Sequence, residues 1–271
     1  DSRRERDVHG PDAASRQNVE STPMSAIYIL WLREIKRYVR SRAQIVASLG
    51  QPLLYLLVLG FGLGPVFQRA GNGSYLQFVA PGVISMTILF TATFSGIAML
   101  FDRQFGFLKE TLVAPVPRIE VMIGRTLGGA TVAVFQGTLI LMVCLIAGFR
   151  PAQLSLFPLA FLFMGLIAIV FTALGTAFGS ILQDMQGFQL VMNFMVLPIF
   201  FLSGALFPLT NLPRPLAIIT RLDPLTYGVD ALRGVLINGS HFGLALDVSL
   251  LGGIAVAFLS LGAYLFSRIQ L

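Results

Sequence analysis

Long uncharged apolar runs, separated by short polar breaks, dominate the sequence. Each run reaches the roughly 20 residues that an α-helix needs to cross the hydrocarbon core of a bilayer. Because only helices and closed barrels satisfy their backbone in lipid, we predict an all-α polytopic membrane protein. Its six transmembrane helices are placed at 43–67, 76–101, 121–148, 156–182, 188–207 and 244–266, within a single six-helix transmembrane domain over 43–271.

Residues 24–42 mix apolar and basic side chains at helical spacing, with Tyr28 and Trp31 among them. This pattern is typical of an amphipathic interfacial helix lying on a membrane surface. The solvated face of a soluble helix is the alternative. Residues 1–23 are polar and predict a disordered tail, and no apolar signal-peptide core precedes residue 43.

The composition supports a membrane location: 55% of the residues are hydrophobic and only 12% are charged. The basic residues lie in the breaks between apolar runs rather than on a polar domain, so we expect no nucleic-acid partner. Cys144 is the single cysteine and lies inside an apolar run, which predicts a packing role and excludes an intrachain disulfide.

Lys and Arg near the span ends predict the orientation, because cytoplasmic loops carry more of them. If the loops alternate, one side of the membrane carries ten such residues and the other carries five. The richer side is predicted to be cytoplasmic, with both termini inside. Its ten residues are Arg33, Lys36, Arg37, Arg40, Arg42, Arg103, Lys109, Arg118, Arg125 and Arg268; the other five are Arg69, Arg150, Arg214, Arg221 and Arg233.

The predicted spans carry no ionisable residue near their middles, where ion-coupled transporters and pumps usually place one. The sequence also contains no phosphate-binding G-x-x-x-x-G-K-[ST] motif and no His-based zinc motif. We therefore predict no catalytic residue, metal or cofactor in this chain. A passive channel, a scaffold and a membrane enzyme are alternatives at this point.

A short amphipathic helix is predicted at 102–114, between spans two and three. Phe101, Phe105, Leu108 and Leu112 recur at helical spacing, and Pro115 with Pro117 ends the pattern. Its apolar face has two interpretations. It either docks in a groove of another protein or rests on lipid.

The long break at 208–243 contains a second predicted helix. Asp223 is suited to cap it, Pro224 to occupy its first position, and Leu225, Val229, Leu232 and Leu236 to form its apolar stripe. Asp230 and Arg233 are predicted to pair on its surface, with a gain of about 0.2 to 0.5 kcal/mol. The helix is predicted either to re-enter the membrane or to lie on its surface.

Polar and small residues within the spans suggest two further features. Thr87, Thr91 and Ser95 share one face of span two, and Asn193, Phe200 and Phe201 follow along span five. Such hydroxyls often bond only to their own helix backbone. The alternative is an amphipathic substrate pathway. The glycine pairs 124/128 and 175/179 are predicted to pack helices within the chain, before any role in dimerisation.

Four segments, in their order and spacing, resemble the type-2 class of ATP-binding-cassette permeases, which includes drug-resistance, lipooligosaccharide and polysaccharide exporters. They are YLQFVAPG at 75–82, KETLVAPVP at 109–117, residues 197–204 followed by Pro208, and LDPLTYGVDALR at 222–233. With the amphipathic helix and six spans, the resemblance covers residues 24–271.

The resemblance implies a subunit of an ATP-driven exporter that works by alternating access. Residues 102–114 would be a coupling helix on a separate cytoplasmic ATPase dimer, which would bind the ATP and Mg and hydrolyse the ATP. A second permease copy would complete the transporter in the bacterial inner membrane, and spans two and five would line the exit route for hydrophobic drugs or lipid-linked molecules. The implied coupling residues are Phe105, Leu108, Glu110, Leu112 and Pro115, and those of an outer gate are Asp223, Pro224, Tyr227, Asp230 and Arg233.

Overall fold

The computed structural model describes residues 23–62, 64–65, 74–105, 117–209 and 213–267, and within these ranges the chain is helical and contains no strand. Most of the predicted amino-terminal tail, residues 1–22, lies outside them. The helices are α1 (Pro23–Arg40), α2 (Arg42–Gly62), α3 (Tyr75–Phe94), α4 (Ile97–Gln104), α5 (Arg118–Ile146), α6 (Phe157–Ile181), α7 (Met185–Leu202), α8 (Arg214–Leu222), α9 (Pro224–Ile237) and α10 (Leu244–Ser267).

Six helical segments in the described ranges are long and apolar enough to cross a membrane. They are α2, α3 together with α4, α5, α6, α7 and α10, which confirms the six predicted spans. The boundaries differ by a few residues where capping decides them. Helix α7 begins at Met185 because the Asp184 side chain accepts a hydrogen bond from the Gly187 N–H, which satisfies an amide of its first turn.

Helices α3, α5 and α6 pack against one another at the centre of the bundle. Helix α2 covers α3, α10 covers α6 and α5, and α9 lies among α3, α6 and α10. The burial of the spans agrees with this arrangement. The α3 span is largely enclosed, whereas α2, α7 and α10 each keep a broad exposed apolar face. Cys144 is fully buried in the core, which confirms its predicted packing role.

The second span is interrupted at Ser95 and Gly96, where the sequence predicted one continuous helix. A Cβ atom on Gly96 would lie 2.0 Å from the carbonyl oxygen of Gly175, and one on Gly175 would lie 2.1 Å from that of Thr93. Backbone therefore meets backbone between α6 and the α3–α4 break. Gly179 joins the same contact, so the 175/179 pair packs within the chain as predicted.

The amphipathic helix α1 packs against α5 through the other glycine pair. A Cβ atom on Gly124 would lie 3.0 Å from the Ile27 carbonyl oxygen, and one on Gly128 would lie 2.7 Å from Cβ of Glu34. The Trp31 indole N–H also donates to the Thr131 hydroxyl of α5, at 3.0 Å. The small residues of α5 thus fix α1 to the bundle.

Candidate functional site

Polar side chains collect at opposite ends of the bundle. At one end, called the α1 end, lie α1, the start of α2, α4 and the start of α5. At the other, called the α9 end, lie α8, α9, the start of α3 and the start of α10. Contacts at the α9 end include the Ala152 N–H donating to the Leu236 carbonyl at 2.7 Å.

A partly open cavity of about 360 Å³ lies towards the α1 end, between α1, α2, α3, α4 and α5. Its walls are mixed, as binding sites for amphipathic molecules require. The polar part comes from two facing stripes, one on α2 and one on α3, and from α1. The principal lining residues are Glu34, Arg37, Tyr38, Gln44, Ser48, Gln51, Thr87, Phe90, Thr91, Phe94, Ser95 and Gln136.

Gln136, buried on α5, joins four helices at the base of this cavity. Its amide nitrogen donates to the Tyr38 hydroxyl of α1, at 2.7 Å, and to the Ser48 hydroxyl of α2. Its amide oxygen accepts from the Thr91 hydroxyl of α3. A buried amide with both ends engaged fixes the relative positions of its partners. Gln136 was not among the predicted pathway residues, although an amide inside an apolar run was a visible signal.

The predicted pathway residues of span two reach this cavity and also bond to their own helix or to its neighbour. Thr87 donates to the Val83 carbonyl at 2.8 Å and Ser95 to the Ala92 carbonyl at 2.6 Å. All three hydroxyl residues, Thr87, Thr91 and Ser95, belong to the lining. The local hydrogen bonding and the cavity-facing role are therefore compatible.

The structure does not bring the predicted pathway residues of span five to the same cavity. Asn193 is exposed on α7, and Phe201 is 46% exposed on its outer surface. Phe200 is fully buried and packs edge-on against Tyr55 of α2, with ring centroids 5.9 Å apart. These three residues lie outside the set that lines the cavity.

Beside the cavity, Asp102 of α4 bridges two arginines. Its carboxylate accepts from Arg33 of α1 at 2.8 Å and from Arg125 of α5 at 2.5 Å. Asp102 and Arg125 are each only 5% exposed in their side chains, whereas Arg33 is 39% exposed. We call these three residues the Asp102 ion cluster. It ties α1 and α5 to the end of span two.

The predicted coupling helix lies mostly outside the described residues. Leu108, Glu110, Leu112 and Pro115 fall in the range 106–116, so their predicted roles stay predictions. Phe105 is described and is 68% exposed, with its ring stacked on that of Phe101 at 6.2 Å. The two rings form an exposed apolar patch at the end of α4.

At the α9 end, Asp223 caps α9 and Pro224 occupies its first turn, as the sequence predicted. One Asp223 oxygen accepts from the Leu225 N–H at 2.9 Å, and the Tyr227 hydroxyl donates to the Arg221 carbonyl at 2.7 Å. Residues 225–236 of α9 are all buried, not only its apolar stripe. A helix enclosed in this way does not lie on a lipid surface.

The predicted surface pair of Asp230 and Arg233 is wrong, because both side chains are buried. Asp230 accepts hydrogen bonds from the backbone N–H groups of His241 and Phe242, at 2.7 and 2.8 Å. Arg233 donates to the Ala205 carbonyl at 3.0 Å and lies 3.9 Å above the ring of Phe78. Each charge anchors a different neighbouring segment to α9. Helical spacing showed that they share a face, but not that this face is enclosed.

Asp247 is a buried residue of this end that was not among the predicted gate residues. It lies in the first turn of α10 and is fully buried, and neither carboxylate oxygen has a hydrogen-bond partner among the described residues. An acidic residue inside a predicted span was the available signal.

Burial also alters the protonation of this end. It raises the pKa of Asp223 to about 7, against the opposing effect of the hydrogen bond from the Leu225 N–H. Burial lowers the pKa of Arg233 to about 10, while the negative charge of Asp230 and the Tyr75 hydroxyl oppose this change. Burial raises the pKa of Tyr227 as well. Arg233 therefore remains charged at neutral pH, whereas Asp223 titrates near it.

Asp223 should make the protein less stable as the pH rises from about 4 to about 7. Because its folded-state pKa is above its usual value of 3.8, its stabilising effect is complete below about pH 4 and disappears as the pH passes about 7. The slope is about 1.4 kcal/mol per pH unit. Asp223→Asn keeps the capping oxygen but does not titrate. In this variant the midpoint temperature of thermal unfolding should no longer show the part of its fall between about pH 4 and about pH 7 that Asp223 causes.

Asp184→Asn is the matched control, because Asp184 also caps a helix but is exposed. A pH slope that persists unchanged in Asp223→Asn, or that disappears equally in Asp184→Asn, would contradict the assignment.

Comparison with known proteins is consistent with this architecture. Residues 25–237 match the family described as ABC-2 type transporter. The chain is 29% identical over 210 residues to the inner membrane transport permease YadH of Escherichia coli K12. The aligned residues cover 77% of this chain and 81% of YadH. This chain is 29% identical over 213 residues to nodulation protein J of Rhizobium leguminosarum bv. trifolii, with 78% of each chain covered. It is 27% identical over 238 residues to nodulation protein J of Sinorhizobium fredii, with 86% and 90% covered.

Proposed function

Because this chain belongs to the ABC-2 type transporter family, we propose that it is the membrane permease subunit of an ATP-driven exporter. The observation that carries the proposal is the family match over most of a chain with six spans. The sequence has no phosphate-binding loop. In this proposal a separate cytoplasmic ATPase dimer would bind ATP together with Mg and would hydrolyse the ATP. The permease would supply the passage and the partner the energy.

In this proposal the α1 end is cytoplasmic and the α9 end faces outwards. The excess of Lys and Arg at the α1 end supports that orientation, with both termini inside. The name of the relative YadH supports the bacterial inner membrane as the location. Helix α1 would then rest at the inner surface and α9 would form a re-entrant outer gate.

A second copy of the permease would complete the passage. Helices α2 and α7 keep wide exposed apolar faces, on which Leu54, Val58 and Phe194 are each more than half exposed. Asn193 lies near the middle of α7 on its exposed surface. A polar side chain at that depth is costly in hydrocarbon and favours a protein neighbour or the pathway over lipid.

The cargo that fits best is a hydrophobic drug or a lipid-linked molecule. The mixed lining of the α1-end cavity supports an amphipathic substrate, since apolar rings and hydrogen-bonding groups occur side by side. A polysaccharide or lipooligosaccharide is the second candidate.

A charge placed on the proposed coupling helix should uncouple the permease from its ATPase. Phe105→Asp combined with Leu108→Asp removes the apolar face that would dock in the partner, so permease-stimulated ATP turnover should fall at least about tenfold. The measurement is ATP hydrolysis by the ATPase that co-purifies with the chain, in vesicles with wild-type or variant permease. Membrane insertion should be unchanged.

Gln104→Asp is the control for added charge, because it introduces one of the two negative charges at an exposed neighbouring position that is not part of the apolar face. Full stimulation by the double variant would refute the coupling role. Uphill transport by the purified chain without any nucleotide-hydrolysing partner would refute the ATP-driven function itself.

A further inference from the structure

We infer that the cavity at the α1 end binds the headgroup of an amphiphile whose headgroup is uncharged and rich in hydrogen-bonding groups, such as a glycosyl or amide group. The inference deepens the proposed function and rests on it for the identity of the ligand as cargo. The binding site itself lies within one chain and needs no second copy.

The first observation is that two polar stripes face each other across the cavity. On α2, Gln44, Ser48 and Gln51 recur at helical spacing, and all three line the cavity. On α3, Thr87 and Thr91 line the opposite wall. Both helices are apolar enough to span a membrane. Ser48 and Thr91 already hydrogen-bond to Gln136, and Thr87 to the Val83 carbonyl, so a ligand would meet chiefly the amide side chains of Gln44 and Gln51.

The second observation is that the charges in the wall neutralise each other. Glu34, which is 8% exposed, is paired with Arg37 one turn along α1. Among the described residues of the lining, the other polar side chains are amides and hydroxyls. A charged headgroup that moved from water to this wall would lose its hydration. Because Glu34 and Arg37 are paired with each other, it would gain no unpaired opposite charge in return, which is unfavourable. An uncharged headgroup avoids that cost.

The third observation concerns the chemistry of the amides. Each glutamine side chain offers two donors and an acceptor, a combination that suits hydroxyl and amide groups on a ligand. Gln136 is already engaged by Tyr38, Ser48 and Thr91. Gln44 and Gln51 are exposed at the cavity rim. They are therefore placed to meet a headgroup as it enters.

The fourth observation is an apolar wall beside these groups. Phe90 and Phe94 stack with ring centroids 6.3 Å apart, and both line the cavity together with Met86. The volume of about 360 Å³ is within the range of small-molecule sites. A polar headgroup against the α2 stripe, with the start of an apolar tail against the two rings, would fill both parts of the lining.

The test measures protection of a cysteine placed in the lining. Ala47 lines the cavity and is exposed, so Ala47→Cys should react with a polar maleimide in nanodiscs. The wild-type chain is the blank, because its single cysteine, Cys144, is fully buried. The probes are dodecyl maltoside, dodecyl sulfate and dodecylphosphocholine, which share one tail and differ in the headgroup. Each is added below its micelle concentration.

We expect dodecyl maltoside to slow alkylation of Ala47→Cys, with little effect from the two charged probes. Adding Gln51→Leu should weaken this protection about fivefold, the loss expected for one net hydrogen bond. Gln189→Leu is the matched control, because Gln189 is an exposed glutamine of a different span, α7, outside the lining. Val46→Cys, which is exposed on α2 but does not line the cavity, should not be protected.

Equal protection by all three probes, or none by dodecyl maltoside, would overturn the inference. Native mass spectrometry of the protein as extracted distinguishes the two sources of such a ligand. A bound amphiphile that resists exchange with dodecyl maltoside is a resident lipid, and one that exchanges behaves as cargo. An uncharged headgroup supports the inference in either case, and a charged one overturns it. ATP turnover in the Phe105→Asp/Leu108→Asp variant tests coupling separately, so the two failures are distinguishable.

Discussion

Gly175→Ala should lower the free energy of unfolding by about 3 kcal/mol, at the upper end of the usual cost of overpacking. The added Cβ would lie 2.1 Å from the Thr93 carbonyl oxygen, which belongs to backbone and is not free to rotate away. Helices α3 and α6 would have to separate, although they form the centre of the bundle. The measurement is unfolding of the purified protein in mixed micelles of increasing dodecyl sulfate content.

Gly165→Ala on the same helix is the matched control. A Cβ atom there meets nothing within 4 Å, so the substitution should change stability by no more than about 1 kcal/mol. Equal effects of the two substitutions would show that α6 tolerates a methyl group at its contact with the α3–α4 break.

Asp102→Asn should also cost about 3 kcal/mol, because it leaves Arg125 buried without its charge partner. Arg33→Gln removes the other arginine of the Asp102 ion cluster and should cost no more than about 1 kcal/mol, since Arg33 is 39% exposed. The same unfolding measurement compares the two. The double variant Asp102→Asn/Arg125→Leu should recover part of the loss, because no unpaired charge then remains buried.

The asymmetry between the two arginines is the decisive readout. If Arg33→Gln destabilises the protein as much as Asp102→Asn does, burial of Arg125 is not what makes the cluster important. If both are harmless, the cluster has little role in holding α1 and α5 to the end of span two.

Local patterns predicted those features that depend on only a few neighbouring residues. The cap at Asp223 and the first-turn position of Pro224 follow from side-chain and backbone chemistry within one helical turn. The face shared by Thr87, Thr91 and Ser95 follows from helical spacing. Because spacing carries no information about the neighbouring helix, it could not predict that Gln136 is the common hydrogen-bond partner of Tyr38, Ser48 and Thr91.

The errors have the same cause. Asp230 and Arg233 are three residues apart, so a surface pair was the natural interpretation on one helix. Enclosure of α9 by α3, α6 and α10 placed both charges in the interior, where the His241 and Phe242 amides and the Ala205 carbonyl became their partners. Each partner is distant in sequence or belongs to another element.

Six runs long and apolar enough to span a membrane could be identified from the sequence alone, because exclusion of charge from hydrocarbon acts on each segment separately, and the described residues contain a helix for each run. The cap at Asp223 and the small residues that permit close approach could be identified in the same way. Which glycines meet, which charges are buried and which polar stripes line one cavity became clear only from the packing of the helices. Those outcomes depend on contacts between helices that lie far apart in the chain, where burial and backbone proximity set the energy.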